Sequence, residues 1–172
     1  MAGLDDILKQ LPIDDIASTL GVDRKTARAA VREGGRTIVT GLQKETQSAE
    51  GKAALSKALN KHVGHKKVAS TSDIDTADGN AILGHIFGGE QDKVAAQLGA
   101  TSSGGGIDFG KLLPMLAPII MNYLANRKSG GGSAASDEGP DLGDLLGGLL
   151  GGGKGFDLKS IGDLLGGLFG KK

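Results

Sequence analysis

The sequence predicts an all-α protein, a compact multi-helix domain followed by a glycine-rich tail. Three observations predict it. Apolar residues recur at i, i+3, i+4 and i+7 through most of residues 1–128, and no segment sustains period-two alternation. Of the 31 glycines, 15 fall in residues 129–172, a density far above the usual roughly 7%. The run Ser129-Gly130-Gly131-Gly132-Ser133-Ala134-Ala135-Ser136 separates the two compositions and reads as a flexible linker. The chain therefore divides into a helical domain over 1–128, a linker over 129–140 and a Leu/Gly repeat tail over 141–172.

The elements come in order. Leu4, Ile7, Leu8 and Leu11 line one face of a first helix, which Pro12 punctuates. Ile13, Ile16, Ala17 and Leu20 repeat the spacing, and Gly21 supplies a C-terminal stop. Asp23 is placed to cap a third helix with Ala27, Ala30 and Val31 inward. Gly34-Gly35 weakens the pattern there, so Ile38 and Leu42 suggest a separate fourth helix. Leu55, Ala58, Leu59 and His62 mark a fifth, ending near Gly64. Residues 66–78 form a polar loop, with Thr76 or Asp78 capping the next helix. Helices resume with Ile82, Leu83, Ile86 and Phe87, then with Val94, Ala95 and Leu98. After Ser102 to Gly106 comes a longer helix, with Phe109, Leu112, Leu113, Leu116, Ile119, Ile120, Tyr123 and Leu124 on one broad face. Pro114 falls in its first turns, where a missing N–H costs little, whereas Pro118 is interior and should kink or split it. No aromatic residue precedes Phe87, so the core is built from Leu, Ile, Val and Ala.

The domain echoes itself. Ile7-Leu8 followed by Ile16-Ala17-x-x-Leu20-Gly21-Val22 returns as Ile82-Leu83 followed by Val94-Ala95-x-x-Leu98-Gly99-Ala100. The inference is two degenerate helical halves packed as one domain. The opening helix, Ile16-Ala17-x-x-Leu20-Gly21-Val22, Gly79-x-x-Ile82-Leu83-Gly84-His85-Ile86-Phe87-Gly88, Val94-Ala95-x-x-Leu98-Gly99 and Leu112-Leu113-x-x-Leu116-Ala117-Pro118-Ile119 occur in that order. In this the chain resembles the YidB-like family of bacterial proteins over roughly residues 4–127. The resemblance implies a homeodomain-like helical fold and a bacterial source. It implies no activity, because that family has no established one.

Composition narrows the function classes. There is no cysteine, hence no disulfide, thiol nucleophile or thiolate metal site. MAGLDDILKQ lacks the basic-then-apolar pattern of a secretory signal. The longest apolar stretch, Leu112 to Ala125, has 14 residues, too few to span a bilayer. A cytoplasmic protein without a membrane partner is expected. The 20 Lys+Arg and 20 Asp+Glu cancel, but unevenly. Residues 24–67 carry eleven bases against three acids, whereas residues 1–23 carry five acids and one base.

That basic section contains a helix-turn-helix pattern. Ala17 is small, Gly21 stands four positions later, and Val22, Ala27 and Ala30 anchor a second helix. This helix would expose Arg24, Lys25, Arg28 and Arg32, with Arg36 just beyond, as candidates to contact duplex DNA in a major groove. Helix pairs with a glycine turn are also ordinary packing units. Pairing of these arginines with Asp5, Asp6, Asp14 or Asp15 would weaken the DNA reading; a common open face would strengthen it.

Other constellations carry less. His62 and His65 stand at i, i+3, but Lys61, Lys66 and Lys67 around them repel a cation, so no metal is expected. His85, beside Ile86 and Phe87, reads as a packing histidine. Asp73-Ile74-Asp75-Thr76-Ala77-Asp78-Gly79 is a superficial calcium-loop match with Gly84 where the closing Glu belongs. Gly148-x-x-x-x-Gly153-Lys154 is followed by glycine, not Ser or Thr, and is a product of glycine richness rather than a P-loop. No nucleophile motif or general-base arrangement stands out. We therefore expect no catalytic residue, cofactor or small-molecule substrate, and not an enzyme.

The tail is a repeat. Gly143-Asp144-Leu145-Leu146-Gly147-Gly148-Leu149-Leu150-Gly151 returns as Gly162-Asp163-Leu164-Leu165-Gly166-Gly167-Leu168-Phe169-Gly170, eight of nine positions identical at a 19-residue offset. Both copies have helical apolar spacing, giving two short amphipathic segments. Each interior glycine costs about 0.8–1 kcal/mol relative to Ala, so each segment should be helical only when its stripe is covered. The cover is the protein's own core, another copy, a different protein or a membrane surface; six acids against four bases in 137–172 disfavour an anionic lipid surface. Leu145, Leu146, Leu149, Leu150, Leu164, Leu165, Leu168 and Phe169 are the candidate self-association residues. The favoured reading is a non-enzymatic bacterial protein-interaction or self-assembly protein; the alternative is a helix-turn-helix DNA-binding regulator or nucleoid-associated protein.

Overall fold

A computed structural model of the 172-residue chain describes residues 4–64, 68–101, 106–130 and 142–151. Those residues are helical with short connections and contain no β-strand. The helices are α1 (Leu4–Gln10), α2 (Ile13–Leu20), α3 (Arg24–Glu45), α4 (Ala49–His62), α5 (Thr76–Ile86), α6 (Gln91–Thr101), α7 (Phe109–Gly130) and α8 (Leu142–Gly151), with a 3-10 turn at Thr71–Asp73. Two helices of 22 residues, α3 and α7, pack on each other and form the axis of the domain. The short pair α1–α2 lies mainly on α3, and α5–α6 mainly on α7. The order short, short, 22 residues thus recurs in the two halves.

Local chemistry sets the ends. Gly21, at φ +67°, adopts the left-handed conformation that glycine tolerates, and its N–H reaches Ser18 O at 3.2 Å. Val22 N–H donates to Ala17 O at 3.0 Å, completing the paired bonds of a Schellman stop. Asp23 caps α3 by accepting from Thr26 N–H at 2.9 Å. Ser48 caps α4 and Asp108 accepts from Lys111 N–H at the start of α7. The cap of α5 is Asp75, which accepts from Asp78 N–H at 3.0 Å, rather than the predicted Thr76 or Asp78. Asp73 is used one turn earlier, in a capping box with Ser70. The equivalence of Gly21 and Gly99 does not hold at this level: α6 continues past Gly99 to Thr101.

Three further expectations change. The predicted third and fourth helices are one, because α3 runs unbroken through Gly34-Gly35. These glycines cost helix propensity but permit close approach. A Cβ on Gly34 would lie 3.1 Å from Leu116 Cδ1, and one on Gly35 would lie 2.9 Å from Leu4 Cδ1. Pro118 does not split α7 either. Its missing N–H leaves Pro114 O without the usual i+4 donor, and Gly79 of α5 sits against that carbonyl so closely that a Cβ there would be 1.9 Å from the oxygen. Finally, α7 is buried more widely than on one broad face, with Lys111 and Asn126 exposed and Pro118 and Asn122 half-buried. Met115, Ala117, Met121 and Ala125 are buried along with Leu112, Leu113, Leu116, Ile120 and Leu124, since α3, α4, α5 and α6 all pack on it. Lys128 Nζ, near its end, donates to Ser56 Oγ of α4 at 2.7 Å. The helix extends to Gly130, two residues into the run read as a linker.

Candidate interaction site on the third helix

Helix α3 presents two different surfaces along its length. Its inner side is set by Ala27, Ala30, Val31, Ile38, Val39 and Leu42, all buried. Opposite them, Arg24, Lys25, Arg28, Arg32 and Arg36 are exposed. Arg28, Arg32 and Arg36 are four residues apart and share one stripe, with Lys25 beside it.

The aspartates of α1 and α2 reach this stripe. Arg24 Nε lies 3.3 Å from Asp14 Oδ1, and Arg32 Nη2 lies 2.9 Å from Asp5 Oδ1. The side chains in both pairs are at least half exposed, so each pair contributes little to stability, about 0–1 kcal/mol. Their effect is on the field, because each pair cancels a positive charge that a phosphate would otherwise meet. Lys25, Arg28 and Arg36 make no such ion pair among the described residues. Hydrogen bonds from Thr26, first its side chain and then its backbone, hold the exposed Asp23 carboxyl below the ordinary aspartate range. That keeps a negative charge at the N-terminus of α3, beside Arg24.

Helix α8, the first copy of the tail repeat, packs on α3 and passes Gln43 near that helix's C-terminal end. Leu142, Leu146 and Leu149, at i, i+4 and i+7, are buried and belong to the same apolar core as Ile38, Val39 and Leu42. Gly147 lies beside the half-buried Gln43; a Cβ built on it would be 3.9 Å from Gln43 Nε2. Of the candidate self-association residues, Leu146 and Leu149 are thus occupied within the chain, and Leu145 and Leu150 lie on the same helix. Leu164, Leu165, Leu168 and Phe169 lie outside the described residues. Gly148 to Gly151 is helical, so that part of the Gly-x-x-x-x-Gly-Lys match is not a phosphate loop; Gly153 and Lys154 lie outside the described residues.

The histidines exchange roles. His62 is buried, with Nε2 3.3 Å from Asp78 Oδ2, and lines an open cleft with Asp73, Asp75 and Asn122. His85 is the exposed one, 3.8 Å from Glu45 Oε2. His65, Lys66 and Lys67 lie outside the described residues. Sequence reasoning misses the His62–Asp78 pair because the partners stand sixteen positions apart with no periodic signal joining them. It also misses Gln43, because the glycine pair upstream puts that residue on a separate helix. Among the described residues no group of three or more His, Asp or Glu is arranged to hold a metal, and no helix is long and apolar enough to cross a membrane.

With this geometry in place, the family assignment covers the part of the chain that folds around α3 and α7. The chain belongs to a family of bacterial proteins of unknown function, DUF937, whose profile matches residues 4–127. No curated protein and no solved structure is significantly similar to it. Helix α8 and the rest of the tail fall outside the family match.

Proposed function

We propose that this DUF937 protein is a non-enzymatic interaction protein that self-associates through its leucine/glycine tail. One observation carries the reading: α8 buries three leucines on α3 although four of its ten residues are glycine. Glycine at that density opposes an isolated helix. The segment is thus suited to dock reversibly on a folded surface, and the chain repeats it at 162–170. Two weak sites on a linker gain apparent affinity from effective concentration. Sedimentation of the full chain against one ending at Gly153, which keeps α8 and lacks the second copy, tests this. The full chain should associate with rising concentration and the shortened one should remain monomeric. Identical monomeric behaviour of both contradicts it.

A second reading, a helix-turn-helix contact to duplex DNA, draws support from the α2–α3 unit. The Schellman turn at Gly21, the buried Ala17 and the outward Lys25, Arg28 and Arg36 suit that motif and the homeodomain-like arrangement implied by the YidB-like resemblance. The pairs Arg24–Asp14 and Arg32–Asp5 count against it. This reading predicts duplex binding that weakens steeply with salt and disappears when Arg24, Lys25, Arg28 and Arg32 become Ala; no binding at low salt removes it.

A further inference from the structure

Resting on the self-association reading, we propose that the α3 surface around Gln43 is a common seat for both leucine/glycine motifs, and that the second motif occupies this seat on a second copy of the chain. Among the described side chains of α8, Leu142, Leu146 and Leu149 are buried and Gly147 lies beside Gln43. Adding the 19-residue offset gives Ile161, Leu165, Leu168 and Gly166. Every apolar contact position keeps an aliphatic side chain of similar volume, and the glycine facing Gln43 is kept. Asp144 and Asp163 also match in the sequence. The second motif differs chiefly in Phe169, which offers more apolar area than Leu150, and in Lys171-Lys172. Helix α8 has no basic residue in its last turn.

The count of motifs then decides where the second one goes. A chain carries two such segments, and its α3 seat holds one ten-residue helix. Whichever motif is seated, the other finds an equivalent surface only on another molecule. The glycine content keeps the seated helix weakly held, so the seat turns over and admits the motif of a neighbour. Assembly of this kind is reversible, depends on concentration and needs no surface beyond the one α8 already uses.

The chain has no cysteine, which makes site-specific cross-linking direct. A full-length isotope-labelled Gln43→Cys chain is mixed with an unlabelled full-length Gly166→Cys chain, treated with a short bismaleimide and digested for mass spectrometry. The expected result is a 43–166 link between the two chains that rises with concentration and is lost when the second chain also carries Leu165→Asp. Adding both Leu146→Asp and Leu165→Asp to the Gln43→Cys chain, so that neither of its own motifs can be seated, should free its seat and raise the yield severalfold; an unchanged or lower yield overturns the proposal. So does a link that survives Leu165→Asp. Absence of the link while sedimentation shows the wild-type chain associating also overturns the shared seat, yet leaves tail-mediated association standing. A wild-type chain that is monomeric throughout removes both.

Discussion

Helices α7 and α8 are both apolar and both contain residues that oppose helix formation, yet they are held in opposite ways. Helix α7 carries Pro114 and Pro118 within its span, and four other helices pack on it. Helix α8 carries Gly143, Gly147, Gly148 and Gly151 and lies chiefly on α3. In α7 the defect left by Pro118 is local, one carbonyl, and Gly79 covers it. In α8 the defect is distributed, a propensity cost at each glycine, opposed among the described side chains by the buried Leu142, Leu146 and Leu149. A breaker inside a helix packed by several neighbours is tolerated by fitting one of them to it. Breakers spread along a helix that lies chiefly on one neighbour leave that helix dependent on its seat.

The strongest way to break this contrast is at Gly79. Gly79→Ala drives a Cβ into the Pro114 carbonyl, a clash with backbone that no rotamer relieves, and should destabilise the domain by at least about 3 kcal/mol. Chemical denaturation measures it; a loss below about 1 kcal/mol would mean that α5 is not pinned to that carbonyl. Next come matched leucines. Leu116→Ala in α7 should cost about 2–5 kcal/mol of global stability, whereas Leu146→Ala in α8 should cost under about 1 kcal/mol globally and show instead as faster amide exchange confined to 142–151. Both leucines are almost fully buried, so equal global losses would erase the distinction. A smaller effect sharpens it in the other direction. Gly147→Ala has room, its nearest neighbour being Gln43 Nε2 at 3.9 Å, and should stabilise α8 by about 0.8–1 kcal/mol, read as roughly fivefold slower exchange there.

The smallest effect concerns acid. The Asp23 carboxyl titrates below the ordinary aspartate range in the folded chain. Its contribution is therefore present above the unfolded-state value and is lost as the pH falls through the lowered, folded one. The α2–α3 turn should loosen in that acid window while the apolar packing of α7 persists, and amide exchange at Thr26 and Ala27 tracks it. Asp23→Asn should flatten the dependence.

How much is legible in the sequence depends on range. Periodicity locates nearly every helix, and capping chemistry places Gly21 and Asp23 correctly, because these signals lie within a few residues of where they act. The joins mislead where a tertiary neighbour overrides a local cost. Gly34-Gly35 reads as a break until Leu113 and Leu116 of α7 and Leu4 of α1 are seen against it. Pro118 reads as a split until Gly79 is seen across from Pro114. The basic stripe of α3 is legible in full, but its partial neutralisation by Asp5 and Asp14 is only one of two outcomes the sequence allows, since side-chain pairing between helices leaves no periodic trace. That the leucine stripes need cover is an expectation drawn from their glycine content. That the cover for the first is α3 is one of four possibilities, and only packing distinguishes among them.

The account turns on α8 being helical because it is seated. Backbone chemical shifts for residues 142–151, compared between the full chain and its Leu146→Asp variant, test this most directly. Helical shifts are expected in the first and coil shifts in the second, with α3 and α7 unchanged. Helical shifts that persist after Leu146→Asp, or coil shifts already in the unaltered chain, would contradict it.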